Sequence, residues 1–165
     1  MSISLPIRAI VIRVLFVGLF LAGYVTAWRP ARNWLSEHVV SPVLAQVETP
    51  RSQHYTIQGG APRAVDIYRS GQSAPAATFT TPAGALFVVS GTLLVLIAPW
   101  TLYWLYLGIY QLLLGATMLC MLALGIGWTE WGFVAFDLLE TTIYPGTSLA
   151  APLLAYGLHR RSSDG

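Results

Sequence analysis

A long stretch without charge constrains this chain more than any other feature. No Asp, Glu, Lys or Arg stands between Arg69 and Glu130, and most side chains in that stretch are apolar. An apolar segment of about 20 residues can cross the hydrocarbon layer of a bilayer as a helix. The whole chain is 55% hydrophobic and 10% charged, whereas soluble domains carry about 25% charged residues. The sequence therefore predicts an all-α membrane protein.

The apolar segments predict four transmembrane helices. The first lies within residues 1–28, and the other three lie in a transmembrane region of residues 82–158, where the apolar runs cover residues 80–100, 101–126 and 132–158. Aromatic residues stand where helix ends should meet the lipid headgroups, as is typical of membrane spans. These aromatic markers are Trp28, Trp100, Tyr103, Trp104, Trp128, Trp131 and Tyr156.

The N-terminal segment fits two interpretations. Arg8 and Arg13 precede an apolar core of about fifteen residues, which is typical of either a cleaved signal peptide or a retained anchor. Val25-Thr26-Ala27 has the small-x-Ala form of a cleavage site. A retained helix is favoured, because residues 7–28 are long enough to span if the arginines extend toward the headgroups.

Residues 29–81 form the extracytoplasmic loop region of this prediction. Pro30 suits the first turn of a helix, and apolar residues recur at helical spacing as far as Pro42 or shortly beyond. Polar residues stand between them. The pattern indicates either an amphipathic helix on the membrane surface or a continuation of the first span.

The second part of this region has a period of two. Residues 54–57 and 64–68 alternate between apolar and polar side chains, and Gly59-Gly60 supplies a turn between them, which predicts a β-hairpin. An isolated hairpin is marginal in water, so we expect it to rest on another part of the protein, on the membrane or on a partner. Residues 71–82 are small and polar and predict a linker.

Orientation is predicted with both termini in the cytoplasm of a bacterial cell, the protein being a multi-pass inner-membrane protein. Four spans place both termini on one side. The arginines are divided almost evenly between the termini and residues 29–81, so the positive-inside rule does not decide the orientation. The prediction rests on the secretory-type start of the chain and on the basic tail of residues 159–165.

The sequence carries no motif of a known catalytic site. It lacks a phosphate-binding loop, H-E-x-x-H, paired C-x-x-C and G-x-S-x-G. The net charge of +2 is too small to indicate a nucleic-acid partner. Cys120 stands inside an apolar run, so a packed thiol is favoured over a nucleophile. We therefore expect a protein that is not an enzyme and binds neither cofactor nor metal.

Carboxylates in the last predicted span are its most informative residues. Asp137 and Glu140 are three positions apart and share a helix face, and charges inside a bilayer are costly unless they are paired or functional. Gln111 and Ser90 reach a similar depth. These four residues predict a polar intramembrane cluster or partner contact that relays protons, holds a cation or pairs with an arginine. That arginine would belong to another subunit, because no arginine of this chain is obvious at the depth of Glu140.

Two alternatives remain open for these acids. Residues 132–144 could form an amphipathic surface helix, which would leave a short final crossing that begins near Pro145. Alternatively, Pro145 kinks one long helix and widens a polar crevice beside Glu140.

Small residues are the predicted helix-packing positions. Side chains of this size let two helices approach closely in a membrane. The predicted positions are Gly18, Ala22, Gly108 and Gly115.

The layout of the chain resembles that of small membrane proteins associated with bacterial exosortases. Thr78-Phe79-Thr80-Thr81-Pro82-Ala83-Gly84 contains a Phe-x-x-Pro-x-Gly step from the loop into the membrane, and the order of span, loop and group of spans is similar over most of the length. Exosortases themselves resemble membrane cysteine transpeptidases, but here Cys120 precedes Met121-Leu122, which departs from the nucleophile motif. The resemblance implies an accessory protein for protein sorting or surface-polymer export, and carries over no catalytic residue.

Three functions follow as hypotheses. The first is a non-enzymatic accessory protein or small subunit of a membrane complex, held in the lipid bilayer and packed on a larger integral membrane protein. The second is a small homo-oligomeric transporter or channel that uses Asp137 and Glu140. The third is a membrane enzyme that uses the same acids.

Overall fold

A computed structural model describes residues 7–58, 64–97 and 103–163, without the side chains of residues 151 and 158–163. Within these residues the chain is mostly helical and carries one small three-stranded sheet. The helices are α1 (Ile7–Ala45), α2 (Ala85–Ile97), α3 (Tyr103–Gly127) and α4 (residues 131–163), and the strands are β1 (Tyr55–Gln58), β2 (Ala64–Arg69) and β3 (Pro75–Thr80).

Prolines inside α1 and α4 are accommodated by short π-helical segments. A proline has no N–H group, and its ring clashes with the carbonyl four residues earlier in an α-helix. The wider π turn, with i→i+5 hydrogen bonds, gives that carbonyl room, so the helix continues. Each of three π segments ends two residues before a proline: Tyr24–Trp28 before Pro30, Ser36–Val40 before Pro42, and Leu139–Ile143 before Pro145.

This continuity decides two alternatives that the sequence left open. Helix α1 passes Trp28 without a break and ends at Ala45, so residues 29–45 continue the first helix. Residues 131–143 likewise continue into Tyr144–Ser163. Helix α4 is therefore one long helix that passes through Pro145, and not a surface helix followed by a separate short span.

Two of the described helices are long and apolar enough to cross a membrane. These are α1 and α3, by length and composition, whereas α2 is apolar but has only 13 residues. Helix α1 packs on α2, α2 packs on the second half of α4, and α3 packs on the first half of α4. The predicted helical membrane architecture is thus found in part, and the count of four spans stays a prediction.

The sheet confirms the predicted hairpin and adds a strand to it. Strands β1 and β2 pair antiparallel with Tyr55 opposite Arg69; residues 59–63, which carry the predicted turn, lie outside the described residues. Strand β3 pairs antiparallel with β2 and places Phe79 opposite Val65. The predicted linker at residues 71–82 is therefore wrong for its second half, because small residues and Thr there form a strand once β2 supplies partners for their backbone.

The sheet rests on the helices through one apolar face. Val65, Ile67 and Phe79 are at most 2% exposed and pack against Leu44 of α1 and Leu122 of α3 in a single core. Burying such a side chain contributes about 1.5–3 kcal/mol relative to water. This contact supplies the support that an isolated hairpin lacks.

An ion-paired cluster fastens the sheet to the turn between α3 and α4. Arg51 Nη2 and Arg69 Nη1 lie 3.3 and 3.5 Å from Glu130 Oε1. Arg51 Nε also donates to Gly125 O, and Thr49 Oγ1 donates to Gly127 O at 2.9 Å. All three charged groups keep substantial exposure, so the backbone contacts hold this end at least as firmly as the ion pairs do.

The predicted packing glycines divide into two groups. A Cβ added at Gly18 or Gly108 would meet no atom within 4 Å, and Ala22 is exposed, so these positions make no close contact within the described chain. A Cβ on Gly115 would lie 3.0 Å from Pro82 Cγ, so Gly115 is a packing position.

The closest helix approach uses a glycine that was not predicted. A Cβ on Gly132 of α4 would lie 2.5 Å from Met121 O and closer still to Gly125 N of α3. Both of these are backbone atoms, which cannot move aside as a side-chain tip can. The turn of residues 128–130 is short, so the two helices must meet here.

Gly132→Ala is expected to lower the free energy of unfolding by about 1–3 kcal/mol, because the added methyl forces the α3 and α4 backbones apart. Unfolding in detergent micelles, followed by circular dichroism, measures this change. Gly146→Ala on the same helix is the matched control, since a Cβ there meets nothing within 4 Å. Equal stability of the two variants would contradict the close crossing.

Candidate functional site

The most unusual backbone of the described chain lies between β3 and α2, at residues 81–84. This segment, called the link below, belongs to neither strand nor helix. Ala83 has φ 62°, a left-handed conformation that non-glycine residues adopt at a cost of about 1–2 kcal/mol. Thr81 and Ala83 are 7% and 2% exposed. The peptide groups of the link therefore need partners from the protein.

Helix α1 supplies one set of partners through side chains at four-residue intervals. Arg32, which is 3% exposed, donates from Nε and Nη2 to the carbonyl oxygen of Thr81, and from Nη1 to Tyr24 Oη. Ser36 Oγ lies 2.5 Å from Thr81 Oγ1. Trp28 Nε1 donates to Ala83 O at 3.2 Å. One face of α1 thus holds the start of the link.

Helices α3 and α4 supply the other set. Ala83 N donates to Gln111 Oε1 at 3.0 Å, and Gly84 N donates to Tyr144 Oη at 3.4 Å. Gln111 Nε2 then donates to Ser148 Oγ at 3.2 Å, and Ser90 Oγ donates to Ser148 O. The result is a continuous polar network that joins α1, α2, α3 and α4 around the link.

The chemistry of this network is backbone satisfaction. An unpaired peptide group away from water costs several kcal/mol, and irregular backbone at membrane depth is tolerated only where protein surrounds it. Arg, Trp, Gln, Ser and Tyr present the donors and acceptors that the link would otherwise find in water. The arrangement can therefore hold a non-helical turn in an apolar environment.

The predicted polar cluster is only partly brought together. Gln111 and Ser90 are 5% and 0% exposed and share Ser148 as a partner. Asp137 is exposed, on a face of α4 that also carries Thr141, whose Oγ1 donates to the Asp137 carbonyl. The expectation that Asp137 joins Gln111 and Ser90 in a buried cluster is therefore wrong, because the helical rotation of α4 turns it outward.

Glu140 lies at the edge of the site. It is partly buried and lines a cavity of about 350 Å³ together with Arg32, Thr81 and Tyr144. The expectation that this chain has no arginine at the depth of Glu140 is wrong, since Arg32 reaches the same cavity. That expectation failed because α1 continues past Trp28 and carries Arg32 to the level of the link.

Two further expectations concern chemistry. Cys120 is exposed on α3 and is not the packed thiol that was predicted. In the part of the chain that the structure describes, no group of three or more His, Cys, Asp or Glu side chains could hold a metal ion.

The sequence holds a signal for the residues that were missed. Trp28, Arg32 and Ser36 follow each other at i, i+4 and i+8, which places them on one helix face. They were assigned to the solvated side of an amphipathic helix, because polar residues in a loop region usually face water. The tertiary partner, a buried irregular link, is not visible from local pattern.

Comparison with known proteins finds no relative. No protein-family model matches the chain, and no curated protein or solved structure is significantly similar to it.

Arg32→Met is expected to lower the free energy of unfolding by at least about 2 kcal/mol, because it leaves the buried Thr81 carbonyl without its charged donor. Thermal and denaturant unfolding in detergent measure the change. Arg29→Met is the matched control, since Arg29 is exposed three residues earlier on the same helix and its loss should change stability by no more than about 0.5 kcal/mol. Similar losses in both variants would contradict the role given to Arg32.

Proposed function

We propose that the protein is a non-enzymatic accessory subunit of a bacterial membrane complex. In this proposal four helical segments lie in the inner membrane, with both termini in the cytoplasm and the sheet on the extracytoplasmic side. The resemblance to exosortase-associated proteins gives this subunit a role in protein sorting or surface-polymer export.

The observation that carries the proposal is an inverted distribution of polarity. Arg32, Gln111 and Ser148 are buried, while large apolar side chains on α3 and α4 face outward. In water such apolar exposure is unfavourable by about 25 cal/mol per Å², whereas in lipid it is not. The exposed side chains include Leu112 at 68%, Leu113 at 64%, Leu153 at 70% and Leu154 at 63%.

Helix α1 supports the role of a subunit. Its first segment, Ile7–Gly23, buries no residue against the described chain. Gly18 and Ala22 lie exposed on this segment, four residues apart, a spacing that lets a second helix approach closely. A larger integral membrane protein that packs here would bury the surface that this fold leaves uncovered.

One observation favours the alternative of a small oligomeric transporter. Glu140 and Arg32 line the same cavity, and intramembrane ionisable residues often mark ion or proton pathways. Asp137 is exposed and would contribute only at an interface between subunits. The two functions differ in what the protein is bound to after extraction.

Extraction in mild detergent tests the proposal. The protein is expected to stay in the membrane fraction after a carbonate wash and to co-purify with a larger membrane protein of the native host. A stable homo-oligomer without that protein favours the transporter, and recovery in the soluble fraction contradicts both. Gly18→Leu should weaken co-purification, whereas Gly146→Leu, which adds the same side chain at an exposed and uncrowded position of α4, should not.

Cysteine labelling tests the orientation. In a Cys120→Ser background, which removes the exposed native thiol, Ser73→Cys is expected to react with an impermeant maleimide on intact spheroplasts, because Ser73 is exposed beside the sheet. Ser163→Cys should react only after the membrane is opened. The reverse pattern would place the sheet in the cytoplasm.

A further inference from the structure

An apolar groove runs between α1 and α3, beside the link. Trp28, Leu35 and Val39 form the α1 side, and Leu105, Gly108 and Leu112 belong to the α3 side, which extends to Leu119. The groove encloses about 600 Å³. None of the residues that line it carries a charge.

The polar groups of the lining are already engaged. Thr81 Oγ1 is paired with Ser36, and the Gln111 amide bonds to Ala83 N and Ser148 Oγ. The groove therefore offers an occupant apolar contact and little hydrogen bonding. Its occupant should be a hydrocarbon.

The dimensions of the groove select the kind of hydrocarbon. Leu105 and Leu119 are separated by about 21 Å along the helix at about 1.5 Å per residue. A volume of about 600 Å³ over that length gives a mean cross-section of about 30 Å². A helix with side chains is about 10–12 Å wide and needs roughly 80–110 Å². An extended alkyl chain, with carbon contacts at about 4 Å, needs only about 20 Å².

We propose that the groove binds one acyl chain of a membrane phospholipid. The inference rests on the proposed membrane location and adds a specific lipid site to it. The chain would lie along α3 and cover the uncharged side of the buried link. A bound acyl chain in this position excludes water from the Thr81–Gly84 backbone on the side that the polar network leaves open.

Native mass spectrometry of the detergent-purified, delipidated protein tests the inference, with palmitoyl-oleoyl phosphatidylethanolamine as the probe. The wild-type protein is expected to retain one lipid molecule. Gly108→Leu should reduce occupancy at least about tenfold, because its side chain fills the groove and displaces several methylene contacts. A Cβ at Gly108 meets nothing within 4 Å, so the fold has room for the change.

Gly146→Leu is the matched control and should retain the lipid as the wild type does. Ala116→Leu, at another exposed position of the groove, decides the question if Gly108→Leu does not fold by circular dichroism. Equal retention by the wild type and both groove variants overturns the inference, as does a polyprenyl mass or a partner peptide in place of phospholipid. A protein that is monodisperse without detergent overturns the membrane location itself, whereas a detergent-dependent protein without retained lipid overturns only the lipid site.

Discussion

The structure depends on the hydrogen bonds that Arg32 and its neighbours make to the link between β3 and α2. At Ala83 the backbone is in the left-handed region, and the chain turns there from a strand into a helix. Without side-chain partners, that turn would leave buried peptide groups unpaired. With them, the sheet and α2 can follow each other directly, and the sheet remains held against the helices.

This constraint explains why α1 is so long. A helix that ended at Trp28 would not present Arg32 and Ser36 to Thr81. The π segments before Pro30 and Pro42 let the helix continue through both prolines, and the same helix then reaches Leu44 in the core beneath the sheet. One uninterrupted element therefore contributes both to the polar network and to the apolar core.

Much of the helical architecture and the hairpin were predictable from the sequence, because each has a local period. The third strand was not predictable, since residues 75–80 contain small residues and a proline and form a strand only beside β2. Gln111 and Ser90 were correctly placed at a common depth, because helical rise alone determines depth. The inward or outward direction of Asp137, and the partnership of Arg32 with Thr81, depend on how the helices pack, and local spacing does not contain that information.

The three acids of the segment that links α3 to α4 and continues into α4 now have different environments, and this changes the argument for a partner. Glu130 is paired with Arg51 and Arg69 at the sheet end, Asp137 is exposed, and Glu140 shares a cavity with Arg32. Because Arg32 of the same chain reaches the cavity of Glu140, that acid does not require an arginine from another subunit. The need for a partner is carried by α1, whose apolar first segment buries no residue against the described chain. A partner should therefore recognise a helix surface rather than a charge.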